Sequence, residues 1–181
     1  MKLDIRADVR DVERALDRLP KLTGRAVTRA MNYAIRKAQT EAARAITRDV
    51  PGIKQRRVRD AMRLKLARAN QWTAAVSARG ARIPIIDLAA RQTQRGVTYR
   101  TKQGRRLIPG AFLATMRSGH RGAFKRAGKR RLPIQELHGP SIPRVFIQRH
   151  IEAEIDRAAQ AAWGKEIARQ MELARTQSGL K

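Results

Sequence analysis

Eleven apolar residues between Leu22 and Ile46 repeat at helical spacing: Leu22, Ala26, Val27, Ala30, Met31, Ala34, Ile35, Ala38, Ala42, Ala45 and Ile46. That period fits one face of an α-helix and no strand, so it constrains the fold more than any other feature of the chain. Pro20 suits the first turn, and Asp49-Val50-Pro51-Gly52 ends the pattern. The helix would be about 40 Å long. Its stripe is mostly alanine, which lets a partner helix approach closely.

Two further stretches have the same rhythm. Val9, Val12, Leu16 and Leu19 predict a short helix over Val9–Leu19. A third helix opens at Ser141, a capping residue, with Pro143 in its first turn. It runs through Ile147, Ile151, Ile155, Ala158, Ala162, Ile167, Met171 and Ala174, with one slip at Trp163 and Gly164, and frays in the last residues, "TQSGLK".

Between these ends the period changes to two. "MRLKLAR" (Met62 to Arg68) and "WTAAVSAR" (Trp72 to Arg79) predict a strand pair. "RIPIIDL", "GVTYRT", "RRLIPGAFLATM" and "GAFKR" are further strands, and "KLDIRA" (Lys2 to Ala7) adds one at the start. The run "KQRRVRDAMR" (Lys54 to Arg63) is open to a helical reading as well. The expectation is an α+β fold: a mainly antiparallel sheet with long N-terminal and C-terminal helices packed on one face. One domain over 1–181 is expected, with strand and helices to 50, a basic strand-rich region over 51–140, a C-terminal helix over 141–176 and a tail over 177–181.

Charge separates the same segments. Residues 51–150 hold 24 Lys and Arg against Asp60, Asp87 and Glu136, net +21, whereas residues 151–181 are neutral. The whole chain carries +26. A field of that size concerns partners rather than fold, and a bare subunit gains nothing from the self-repulsion. Exposed contacts to DNA or to an acidic partner are expected from Arg105, Arg106, Arg117, Arg121, Lys125, Arg126, Lys129, Arg130 and Arg131. Only Tyr99, Phe112 and Phe124 are available there for base stacking, which favours a duplex backbone or an acidic protein over a single strand.

Catalytic chemistry finds little support. There is no cysteine, hence no disulfide and no thiolate metal site. His120, His138 and His150 lack metal-ligand spacing, with His120 in a glycine-rich loop, His138 at a turn and His150 on a polar helix side. Asp60, Asp87 and Glu136 are far apart in sequence, which argues against a Mg²⁺ nuclease. No Gly-Lys-Ser/Thr phosphate loop is present. The opening "MKLDIRADVR" has no signal-peptide core, and no stretch reaches the roughly 18 apolar residues of a membrane span. The expectation is a non-enzyme without cofactor, assembled in a cytoplasm.

One clustered motif resembles a family. Gly110-Ala111-Phe112, Ser118-Gly119, Phe124-Lys125-Arg126, Leu132-Pro133-Ile134 and Gly139-Pro140-Ser141 occur in the order found in the minor tail protein Z, or tail completion, family of long-tailed bacteriophages. The N-terminal strand and the Ala/Arg-rich helix are similar to it too. The resemblance implies a structural virion protein that completes the head-proximal end of the tail and helps join it to the head. It implies a ring of six near the tail terminator, tail tube and DNA end, with no catalytic residues and no membrane. In such a ring Ala30, Ala34, Ala38, Ala42 and Ile46 would supply an apolar subunit contact. The rival reading is sequence-nonspecific binding of duplex nucleic acid.

Overall fold

A computed structural model describes residues 2–5, 20–69 and 71–177. The helix expected over Val9–Leu19 and the tail beyond 177 lie outside them. Two compact units are distinguishable, one of residues 1–42, 62–78 and 149–181, the other of residues 43–61 and 79–148. The basic middle of the sequence is thereby shared: its first strand pair belongs with the chain ends, the rest forms the second unit.

In the first unit, strands β1 (Lys2–Ile5), β2 (Met62–Lys65) and β3 (Ala74–Ala78) form an antiparallel sheet in the order β1-β3-β2. Val76 on the central strand faces Leu3 on one side and Leu64 on the other. Ala74, Ala75, Val76 and Ala78 are all buried. Consecutive strand residues point to opposite faces, so both faces of β3 are covered. Helix α1 (Pro20–Asp49) contributes its first 23 residues to this unit. Every described member of the predicted stripe is buried, because the wide alanine-lined face lies against the chain's own core.

That burial corrects the expected subunit contact. Ala30, Ala38, Ala42 and Ile46 are 0% exposed and Ala34 5%, within a single chain. No apolar face remains on these five residues for a second copy. Among the described side chains of α1, the exposed ones are Arg25, Arg29, Tyr33, Arg36, Lys37, Arg44 and Arg48.

The second unit is built on small antiparallel sheets. Strands β5 (Arg91–Thr93), β6 (Gly96–Thr101) and β7 (Gly104–Pro109) form one meander; β8 (Ala111–Thr115), β9 (Arg121–Arg126) and β10 (Ile134–Glu136) form another. β4 (Arg82–Pro84) pairs with β11 (His138–Ser141). The described strands thus make four sheets of two or three strands, where one larger sheet was expected. Short strands and frequent turns explain the division: "RRLIPGAFLATM" breaks at Gly110, whose φ of 70° favours glycine and turns β7 into β8. Helix α2 (Gln55–Asp60) takes the first half of the ambiguous Lys54–Arg63 run and β2 the second. The core of the unit gathers Val58, Ile83, Ile85, Leu88, Val97 and Phe146.

The C-terminal helix is two helices. Ser141 caps the short α3 (Ile142–Phe146), its Oγ accepting from the Arg144 N–H at 3.4 Å with a proline in the first turn. α4 (Arg149–Gln177) then starts afresh and belongs to the first unit. Among the described side chains of α4, the buried ones are Ile151, Ile155, Ala159, Glu166 and Gln170. The predicted stripe had followed Ile167 and Met171, one position away, which are only half-buried. Glu166 is tolerated inside because Arg169 holds both carboxylate oxygens, at 3.0 and 2.6 Å, and Gln170 donates at 2.8 Å. These bonds pull its carboxyl down to about 2.

Candidate functional site

All nine cations singled out from the sequence are exposed, and all lie in the second unit. None pairs with an acid among the described residues. They do not form one patch. On β7, Arg105 stands opposite Arg100 and Arg106 opposite Tyr99. Neighbours along a strand face opposite sides, so Arg105 and Arg106 cannot meet one flat partner together. Instead, Thr98 pairs with both Leu107 and Arg91, which puts Arg91, Arg100 and Arg105 on one face of this sheet. Arg91 and Arg100 escaped the sequence reading because no run of charge marks them; the strand register alone brings them to Arg105.

Arg105 also has work inside the subunit. Its guanidinium donates to the Ala89 carbonyl at 2.8 Å and to Thr98 Oγ1 at 3.2 Å. Ala89 is in the left-handed region at φ 51°, unusual for a residue with a Cβ, and Arg105 satisfies its carbonyl. The guanidinium is held in place with its charge un-neutralised, since carbonyl and hydroxyl oxygens are not anions.

The second meander distributes its charge by the same alternation. Arg121 and Lys125 flank Ala123 on one face of β9. Arg126, on the other face, lies 5.7 Å from the Phe112 ring centroid, a cation–π contact, and Phe112 lies 6.3 Å from Phe124. Arg117 sits in the turn between β8 and β9, which the Met116 N–H closes on the His120 carbonyl at 2.8 Å. Between β9 and β10 the Ala127 N–H bonds the Pro133 carbonyl at 3.1 Å, closing an exposed arm that carries Lys129, Arg130 and Arg131. Leu132 at its end is 66% exposed, the most solvent-facing large apolar side chain among the described residues. Three adjacent cations and a bare leucine suit a partner that offers both acid and apolar surface.

Glu136 is engaged from two sides. His120 Nε2 lies 3.0 Å from its Oε1, and His138 Nε2 3.9 Å from Oε2. His138 begins β11, where a turn was expected, and its Nδ1 reaches the Glu136 carbonyl at 3.1 Å. Gly122 makes the room: a Cβ there would stand 2.9 Å from Glu136 Oε1 and 2.8 Å from Phe124 Cζ. The other central acids are held elsewhere, Asp60 by Arg56 at 3.9 Å and Asp87 by Arg57. Among the described residues no group of three or more His, Cys, Asp or Glu is arranged so that it could hold a metal ion. None of the described helices is long and apolar enough to cross a membrane.

The nine cations are exposed and without acidic partners among the described residues, and comparison with known families identifies the chain's setting. A family model described as prophage minor tail protein Z (GPZ) matches residues 9–176. The chain belongs to that family. No curated protein and no solved structure matches it. The family match spans both units and all nine exposed cations. Minor tail proteins of this family are structural parts of the phage tail, which makes other tail proteins the expected neighbours and points to a non-enzymatic role.

Proposed function

We propose that this tail protein is a joint. It completes the head-proximal end of the phage tail and helps form the head–tail connection, as a subunit of a six-fold ring near the tail terminator and the DNA end. One observation carries the reading: nine exposed cations without an acidic partner among the described residues, on a member of a tail-protein family. Such a surface repels itself in a free subunit and is relieved when anions cover it. The arm at 127–133 takes acidic protein neighbours, while the face of Arg91, Arg100 and Arg105 suits the phosphates of a duplex.

Deleting the protein from the phage tests this reading. Heads and tails that fail to join, with antibody label on wild-type particles at the neck, are the expected result. Infectious particles without the protein, or label confined to the distal tip, overturn it. The second reading, nonspecific duplex binding as the main role, draws on the same cations. It requires affinity to fall about a thousandfold between about 50 and about 200 mM salt, and a flat response dismisses it.

A further inference from the structure

A recess of about 430 Å³ in the second unit is lined by Arg82, Gly139, Pro140, Ser141 and Arg144. It shares no residue with the nine cations described above. Arg82 is on β4 and pairs in register with Ser141 on β11, and Arg144 follows in α3. Neither arginine has an acidic partner among the described residues. No acid lines the recess. The sole acid between Asp87 and Glu152 is Glu136, which His120 and His138 already hold. Ser141 Oγ accepts from the Arg144 N–H and retains its own O–H to donate.

From this we infer a carboxylate-binding recess: it receives an Asp or Glu side chain, or a chain-terminal carboxylate, from a neighbouring tail protein. Two exposed arginines without an acidic partner among the described residues line the recess, and arginine binds a planar oxyanion through paired N–H groups. A concave site admits a side chain reaching inward. A duplex, convex and rigid, brings its phosphates to open faces and ridges such as those of the nine cations. The choice of a protein partner rests on the family assignment; the choice of an anion rests on the recess alone.

The test uses the full chain, titrated calorimetrically with a short glutamate-rich peptide and, separately, with a short DNA duplex. Arg82→Lys with Arg144→Lys keeps the charge and removes the fork geometry. Arg25→Gln, Arg29→Gln and Arg36→Gln together remove three exposed cations of α1 and form the bulk-charge control. Peptide affinity is expected to fall about tenfold in the double-lysine variant and less than threefold in the α1 variant, with duplex binding unchanged by the lysines. Equal losses of peptide affinity in both variants would mean that bulk charge alone is at work and would overturn the assignment. So would a duplex affinity that falls with the lysine pair, since nucleic acid would then be the occupant. The single changes Arg82→Lys and Arg144→Lys carry the same comparison if circular dichroism shows the double variant misfolded.

Discussion

Asn32 grips the backbone of Ala67 from both sides. Its Oδ1 accepts from the Ala67 N–H at 2.8 Å, and its Nδ2 donates to the Ala67 carbonyl at 3.1 Å. One side chain on α1 thus replaces, for the segment after β2, the pair of hydrogen bonds a further strand would make. Ala67 is buried, 4% exposed, so water cannot substitute. Asn32→Ala should destabilise the fold by about 1–3 kcal/mol, the cost of an unmet buried polar group. Chemical denaturation measures it, and an unchanged midpoint contradicts it.

The alanines of α1 give a second prediction. Ala38 is 0% exposed inside the chain, so Ala38→Leu must push the core apart and should cost about 1–3 kcal/mol. The loss should appear in the isolated chain and be independent of protein concentration. A variant of normal stability that fails only to associate would restore the subunit-contact role.

Gly122→Ala addresses the clasp around Glu136. The added methyl would stand 2.8 Å from the Phe124 ring and 2.9 Å from Glu136 Oε1, closer than side-chain carbons normally come. Either the ring or the carboxylate must move, and about 1–3 kcal/mol of stability is expected to go. Glu136→Gln in the same background should change little more if the carboxylate has already been displaced from His120, which a double-mutant cycle reads directly.

Glu166 makes stability depend on acidity. Its folded carboxyl titrates at about 2, below the ordinary 4.5, because Arg169 and Gln170 bond the charged form. The stabilisation is therefore complete above about pH 4.5 and is lost as the pH falls from there toward 2. Thermal midpoints over that range should drop more steeply in the wild type than in Glu166→Gln. Parallel curves would remove the argument.

Legibility differed by element for physical reasons. α1 could be read because every buried position of its stripe is apolar and helical spacing is unambiguous over 25 residues. The β2–β3 pair could be read from alternation. α4 could not be followed past Ile155, since its buried face continues as Ala159, Glu166 and Gln170, whereas the apolar spacing steps aside to Ala158, Ala162, Ile167 and Met171. The break after Phe146 was hidden because Ile147 and Ile151 keep helical spacing across it. At the site, exposure of the basic run was visible in composition. The grouping of Arg91 with Arg100 and Arg105 needed the register, and the recess of Arg82 and Arg144 joins residues 62 positions apart that no periodicity links.

The account turns on whether a larger body covers the cationic side of the second unit once the tail is built. Amine-reactive labelling of Lys125 and Lys129, read by mass spectrometry, compares the free subunit with the finished tail. Both lysines are exposed in the subunit and should label readily there. In the finished tail the account predicts strong protection of both. Equal labelling in the two states would contradict it.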